Sequence, residues 1–96
     1  MNQSILDKAY ANGAVFKDTY LIKANFEKAF LIKADFTNAF LMEANLRGAY
    51  LTGSDFTNAN LGGANLTGAT LTGATLPDGT PYTSSDDLAR FGAMVN

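Results

Sequence analysis

A five-residue repeat runs through most of the chain and fixes which folds are open to it. Counting every fifth residue from Leu6 to Leu76 gives fifteen positions, of which fourteen are Leu or Phe and one is Ala11. The residue two places before each of these is Ala at twelve positions and Ser or Thr at the other three. The register does not slip between residues 4 and 78. Such a repeat predicts a stack of similar units, each buried by its neighbours.

The period of five matches neither the 3.6-residue period of an α-helix nor the two-residue period of a β-strand. Within each unit, however, the small residue and the Leu or Phe lie two residues apart, so both face the same side of an extended chain. The other two residues must then turn the chain before the next inward pair. A short side followed by a corner closes into a prism, which has four sides if four units complete a coil. The period leaves a three-sided solenoid as the alternative.

The units also resemble those of the pentapeptide-repeat family. They follow the pattern A-(N/D)-(L/F)-x-x, as in Ala24-Asn25-Phe26-Glu27-Lys28 and Ala44-Asn45-Leu46-Arg47-Gly48. The resemblance extends over about four fifths of the chain. It implies an all-β fold, a right-handed quadrilateral parallel β-helix (a solenoid) of about four coils, with the Leu and Phe ladder inside and small residues packed beside it.

The repeat stops after Leu76, where two prolines and a turn sequence follow. Pro77 and Pro81 lack a backbone N–H and cannot continue the coil. We therefore predict a β-helical region at residues 1–78 and a C-terminal turn with a short capping helix at residues 79–96. A cap is expected because the open end of a solenoid exposes its core and unpaired backbone groups.

The predicted helix has a start signal and an apolar face. Ser84 or Ser85 is a suitable N-cap, because a hydroxyl there accepts a bond from the first free N–H groups. Leu88, Phe91 and Val95 are spaced three and four residues apart, which places them on one side of a helix. We expect that side to lie against the end of the coil.

The last residue of each unit forms the corner and changes character along the chain. From residue 48 onward these residues are Gly or Asn, which tolerate the positive φ of a type II turn. Earlier corners are mainly long or charged residues that resist a positive φ, namely Lys8, Asp18, Lys23, Lys28, Lys33 and Glu43. We therefore expect type II corners in the C-terminal half and more open corners before residue 43.

Several units carry a large apolar residue at the middle position, which faces outward. With twenty residues per coil, Tyr10, Phe30 and Tyr50 stack on one face next to Ile32, and Tyr20 and Phe40 stack on the opposite face next to Ile22 and Met42. These eight residues are the candidate binding residues. Two interpretations remain open: the aromatic rings brace neighbouring coils, or a face forms a contact patch for a partner or a second copy.

Residues suited to catalysis and metal binding are scarce. The chain has no His and no Cys, which removes the commonest general base and the commonest nitrogen and sulfur metal ligands. We predict no catalytic residue, no metal site, no cofactor and no enzymatic activity. Asp35 and Asp55 fall on one face, where one interpretation is a carboxylate ladder for a cation and the alternative is an ordinary solvated face.

Charge and hydropathy argue against two classes of partner, nucleic acids and membranes. A formal net charge of −2 argues against nucleic-acid binding, which depends on neutralising many phosphates. No apolar stretch of about 18 residues is present, so no membrane span is predicted. The N-terminus does not resemble a secretory signal, and the expected location is the cytoplasm.

The sequence thus predicts a non-enzymatic structural or protein–protein interaction module, without defining its role or its protein partner. A homodimer, or stacking with another repeat segment at the N-terminal end, is the expected mode of self-association. The resemblance also implies an alternative, because some family members mimic DNA and inhibit or protect a DNA topoisomerase (gyrase). A supercoiling assay separates the two functions.

Overall fold

Residues 12–95 are described by the computed structural model, and they form a four-sided coil. Parallel β-bridges join residues that are twenty apart in the sequence, beginning with Val15 to Asp35, Tyr20 to Phe40, Asn25 to Asn45 and Phe30 to Tyr50. Each bridge is isolated, so every side of the coil is a very short strand centred on one residue. Four units therefore complete one coil, which excludes the three-sided alternative. We name the faces by their bridged residues: 15/35/55/75, 20/40/60, 25/45/65 and 30/50/70.

Backbone hydrogen bonds run along the axis and join each coil to the next. Phe40 donates its N–H to the carbonyl oxygen of Thr19 at 2.9 Å, and Leu21 donates to the carbonyl oxygen of Phe40 at 2.7 Å. The same pair of bonds recurs on all four faces. The extended backbone of each side is thereby paired with its neighbours, as buried peptide groups require.

The Leu and Phe ladder lies inside the coil, as the repeat predicts, and its described members from Phe16 to Leu76 are buried. Phe16, Phe36 and Phe56 stack above one another, with ring centroids 5.1 and 5.0 Å apart. Phe26 meets Phe16 and Phe36 edge-on from the opposite face. Within residues 12–95, Ser54 is the buried polar residue.

Ser54 occupies a position that is Ala in most units, and its hydroxyl donates to the carbonyl oxygen of Leu31 at 2.9 Å. A buried hydroxyl with a partner costs little free energy, whereas one without a partner would cost about 1–3 kcal/mol. The position therefore accepts a small hydroxyl residue in place of Ala.

The prediction of open corners before residue 43 was wrong. Corner residues of the early coils also adopt positive φ, between 58° and 62°, at Asp18, Lys23, Lys28, Lys33, Asn38 and Glu43. Each corner is closed by a turn hydrogen bond, such as the one from Ala24 N–H to the Leu21 carbonyl at 3.0 Å. The corner N–H of Lys23 also donates along the axis, to Met42. These bonds offset the cost of the left-handed conformation, which is about 1–2 kcal/mol per residue.

Glycine corners in later coils make room for the long side chains of the coil before. A carbon atom added at Gly48 would lie 3.2 Å from Lys28 Cγ, and one added at Gly63 would lie 3.2 Å from Glu43 Cγ. The aliphatic part of each long side chain therefore lies over the glycine of the next coil. The change from charged to glycine corners along the chain is thus a packing relationship between successive coils.

The C-terminal segment leaves the coil, forms one short helix and then returns to the wall. Helix α1 spans Ser85–Ala89, and its N-cap is Ser84. Leu88 is buried against the core. After Gly92, Met94 pairs in parallel with Asn65.

The prediction that Leu88, Phe91 and Val95 lie on one helical face was wrong in its geometry. All three pack against the core, but the helix ends at Ala89. Met94 donates its N–H to the Ala64 carbonyl at 2.7 Å and accepts from Leu66 at 2.7 Å. Residues 93–95 therefore act as one more side of the coil on the 25/45/65 face, with small Ala93 and apolar Val95 two residues apart as in the repeat.

Two carboxylates hold the C-terminal segment together. Asp87 accepts hydrogen bonds from the hydroxyl and N–H of Thr83, at 2.6 and 2.8 Å, and from the N–H of Ser84 at 3.2 Å. Asp78 accepts from the hydroxyl and N–H of Thr80 and lies 3.5 Å from the Arg90 guanidinium. The hydrogen bonds from the threonine residues, with a smaller contribution from the Arg90 charge, lower the pKa of both carboxyl groups.

We predict that Gly68→Ala destabilises the coil. Gly68 has a φ of +72°, and an added Cβ would make only ordinary contacts, the nearest at 3.9 Å. The cost is therefore conformational, about 1–2 kcal/mol of unfolding free energy in urea denaturation. The neighbouring Thr67→Ala is the control and should change stability by less than about 0.5 kcal/mol. Equal effects of the two substitutions would contradict the corner geometry.

We predict that Asp87→Asn lowers the melting temperature near neutral pH but not in acid. Because the folded-state pKa of Asp87 is lowered, its carboxylate stabilises the fold above its usual pKa of about 4, and this stabilisation is lost as the pH falls through the folded value. Thermal denaturation of both proteins from pH 7 to pH 2 should show a difference that shrinks below about pH 4. A difference that stays constant over this range would exclude a role for the charged form.

Candidate protein-interaction surfaces

Two pairs of stacked aromatic rings lie on opposite outer faces of the coil. Tyr20 and Phe40 stack on the 20/40/60 face, with ring centroids 4.6 Å apart and planes inclined by 8°. Phe30 and Tyr50 stack on the 30/50/70 face at 4.6 Å and 5°. Tyr20 is 59% exposed and Tyr50 is 42% exposed. The outward positions predicted from the sequence are therefore correct for these four residues, and Tyr10 lies outside the described residues.

Partly buried aliphatic residues extend both ring stacks toward the following corner. Ile22 and Met42 occupy this position beside Tyr20 and Phe40, and Ile32 occupies it beside Phe30. The outward position and the position two residues later lie close together on this face. In the next coil they are Asn60 and Gly62, and a carbon added at Gly62 would lie 3.2 Å from Asn60 Oδ1 and 3.9 Å from Met42 Cγ. We call Tyr20, Ile22, Phe40 and Met42 the Tyr20 patch, and Phe30, Ile32 and Tyr50 the Tyr50 patch.

Both patches become polar toward the C-terminal coils. On the 20/40/60 face the third coil carries Asn60 and Gly62, and on the 30/50/70 face it carries Thr70 and Thr72. The apolar surface is therefore confined to the first coils of the described region rather than running the length of each face.

At six other outward positions of the described coils the residue is Asn or Asp, and its side chain accepts a backbone hydrogen bond. Asn25 accepts a hydrogen bond from the N–H of Glu27 at 3.0 Å, and Asn45 accepts one from Arg47 at 3.1 Å. Asp35, Asp55, Asn60 and Asn65 make the equivalent bond. In these six units a short side chain thus satisfies the first N–H group of the turn.

An aromatic ring at the same position cannot accept this bond. In the Tyr50 patch the N–H of Ile32 instead donates to Asn12 Oδ1 of the preceding coil at 2.9 Å. The aromatic residues therefore replace a recurring local hydrogen bond with ring stacking and exposed apolar surface.

The edges of the two patches differ in charge. The corners next to the Tyr20 patch carry Lys23 in one coil and Glu43 in the next, and both side chains are exposed. The Tyr50 patch lies between two basic corners of the same coil, Lys28 and Lys33. Within residues 12–95, the salt bridges are those of Arg90 with Asp78 and Asp87, so the charges beside the patches face solvent without an ion-pair partner from that region.

The carboxylates on the 15/35/55/75 face are engaged locally. Asp35 and Asp55 are bridged to each other through the backbone, and each accepts hydrogen bonds from the threonine two residues on, Thr37 or Thr57. The Thr37 hydroxyl and N–H lower the pKa of Asp35. Among the described residues, no group of three or more His, Cys, Asp or Glu side chains is arranged to hold a metal ion.

A comparison with protein families identifies the repeat. The family model described as pentapeptide repeats (8 copies) matches residues 6–38 and 39–76. The chain belongs to the pentapeptide-repeat family. Members of this family form right-handed quadrilateral β-helices, and the twenty-residue coil described above is that fold. No curated protein matches the chain.

Solved structures of other pentapeptide-repeat proteins are similar to this one. A protein from the thylakoid lumen of Arabidopsis thaliana is 34% identical with a TM-score of 0.79, over 94% of this chain and 57% of that one. HetL, involved in heterocyst differentiation regulation in Nostoc sp. strain PCC 7120, is 31% identical with a TM-score of 0.74, over 84% and 42%. Rfr23 from Cyanothece 51142 is 26% identical with a TM-score of 0.84, over 100% and 60%.

These comparisons support the family and the fold. The chain spans about half the length of the three proteins, between 42% and 60%. In the part of the chain that the structure describes, no helix is long and apolar enough to cross a membrane.

Proposed function

We propose that this pentapeptide-repeat protein is a non-enzymatic interaction module that contacts protein partners through the Tyr20 patch and the Tyr50 patch. One observation carries the proposal. At these outward positions, aromatic rings stand where other units have an Asn or Asp that satisfies a backbone N–H.

Physical reasoning favours contact over bracing. Ring stacking contributes about 0.5–1.5 kcal/mol beyond area burial, and the hydrogen bond that an Asn would make contributes about as much. The stacking itself therefore contributes no more than the hydrogen bond that an Asn would make, while the pairs expose apolar surface such as the Tyr20 ring to water. Contiguous exposed apolar patches of this kind are typical of interaction sites.

We propose in addition that residues 1–78 form about four coils and that residues 79–96 cap their C-terminal end. Support for the cap comes from Leu88, which is 1% exposed, and from Tyr82, Phe91 and Val95, which pack against the core of the coil. These side chains lie at the end of the apolar ladder, where a further coil would otherwise be needed to exclude water.

The topoisomerase alternative and the cytoplasmic location remain predictions. DNA mimicry requires a regular array of negative charge, and the first described coils instead carry exposed lysines at three consecutive corners, Lys23, Lys28 and Lys33. No supercoiling inhibition or protection of gyrase by the purified chain is therefore expected.

We predict that Tyr20→Asn/Phe40→Asn and Phe30→Asn/Tyr50→Asn each leave the free energy of unfolding within about 1 kcal/mol of the wild type. The new side chains lose the ring stack but place an amide oxygen near the turn N–H, as in Asn25 and Asn45. At position 30 this oxygen competes with Asn12 for the Ile32 N–H. Urea denaturation of dilute protein measures the change in the absence of any partner.

The reciprocal variant, Asn25→Phe/Asn45→Phe, is the matched control because it places a ring stack on a face of the same geometry. If the rings brace neighbouring coils, this variant should gain stability. If the proposal is correct, it should lose stability, because the N–H groups of Glu27 and Arg47 lose their side-chain acceptors. A loss above about 3 kcal/mol in the Tyr20 and Phe40 variant, together with a gain in the reciprocal variant, would show that the rings serve the fold.

We predict that Leu88→Ala lowers the free energy of unfolding by about 2–4 kcal/mol, because it leaves a cavity at the end of the core. The control is Ala89→Ser, which changes an exposed residue of the same helix. Denaturant unfolding compares the two variants, and a Leu88→Ala protein as stable as the control would contradict the capping role.

A further inference from the structure

We infer that the Tyr20 patch binds a second copy of this chain, with the two coil axes antiparallel. The inference rests on the proposed function, because it takes the patch to be a contact surface, and it goes further by naming the occupant. The observation behind it is the alternation of charge along one edge of the patch.

The patch occupies two consecutive coils, and its two rows have the same character in each. Tyr20 and Phe40 form the outward row, and Ile22 and Met42 form the row beside it. The axial bond from Lys23 N–H to the Met42 carbonyl at 3.0 Å holds the edge of one coil directly against the next. Lys23 and Glu43 therefore follow each other along the axis at about the 4.8 Å spacing of adjacent strands.

A two-fold axis makes such an edge complementary to itself. The axis lies in the interface, parallel to the short strands, and passes between the two coils. It places Tyr20 opposite Phe40 of the partner subunit and Ile22 opposite Met42 of the partner subunit. It also places Lys23 opposite Glu43 of the partner subunit. Because a two-fold contact is reciprocal, every one of these pairs occurs twice.

The other arrangements fit less well. If the two coil axes are parallel, Ile22 and Met42 of one copy meet the opposite edge of this face in the second copy. The corner residues at that edge are Asp18 and Asn38, so apolar side chains would contact polar ones. The Tyr50 patch has basic corners at Lys28 and Lys33 and glycine at the corresponding corners of the next coil. A second copy therefore brings no acidic corner residue to either lysine.

The dimer is expected to be weak. The molecule measures 27 × 25 × 21 Å, so one face buries at most a few hundred Å² per copy, less than the roughly 800 Å² per partner of a standard stable interface. Association in the micromolar to millimolar range is therefore the expected result, and it must be measured at high protein concentration.

Charge reversal at the two corners tests the pairing. Lys23→Glu and Glu43→Lys each bring like charges together twice in a homodimer, and we expect self-association at least about tenfold weaker than that of the wild type. In a mixture of the two variants, every reversed corner meets an opposite charge, so a heterodimer should form with wild-type affinity. The double variant Lys23→Glu/Glu43→Lys should also recover self-association.

Sedimentation equilibrium of the full chain measures these affinities at several protein concentrations. Circular dichroism tests whether each variant is folded. Formation of the heterodimer in the mixture of Lys23→Glu and Glu43→Lys would show independently that both variants are folded. Lys33→Glu, on the opposite side of the molecule, is the control for a general effect of charge and should leave self-association unchanged.

The outcomes separate this inference from the proposed function. A wild-type chain that stays monomeric at millimolar concentration overturns the dimer. If neither charge reversal weakens association but Tyr20→Asn/Phe40→Asn abolishes it, the antiparallel pairing is overturned while the patch remains an interaction surface. If that aromatic variant associates as tightly as the wild type, self-association does not use the Tyr20 patch and the dimer is overturned, while the proposed contact with other proteins is left unaffected.

Discussion

The structure depends on one constraint: after twenty residues the backbone must return to a position where its N–H and C=O groups meet those of the coil before. Every other feature follows from keeping that register. The inward pair must be small and large so that the ladder fits the prism, and each corner must turn within two residues. Even Lys28 and Glu43 adopt a positive φ at their corners, because relaxing one corner would displace the axial hydrogen bonds on both sides of it.

The repeat was sufficient to predict the inward ladder, the outward aromatic positions and the short helix near Ser84, because these follow from periodicity and local capping preferences. The early corners were mispredicted because residue preference was weighed without the axial bonds that override it. The C-terminal segment was mispredicted at Val95 because the spacing from Leu88 to Val95 fits a helical face, whereas Met94 is held by a strand pairing across 29 residues. Such distant pairings leave no local signal.

The outward positions carry two kinds of side chain, polar ones that bond the backbone and aromatic ones that stack. Asn25 and Asn45 satisfy a turn N–H, while Tyr20 and Phe40 occupy the same structural position with stacked rings. The sequence placed these rings correctly but left their purpose open, because bracing and binding require the same residue types. We propose that these rings serve binding, because their stacking alone contributes no more than the hydrogen bond that an Asn makes at the same position.

The return of the C-terminal segment to the wall has a consequence for how such folds diversify. Met94 pairs with Asn65 after 29 residues, whereas bridged residues in the body of the coil are twenty apart. Nine extra residues are therefore accommodated between two adjacent strands of this face. The backbone resumes the pattern because each short strand is positioned by its hydrogen bonds to the neighbouring coil and not by the connecting segment before it. A corner is therefore a natural place for an inserted loop, and new segments can be grafted there without redesigning the scaffold.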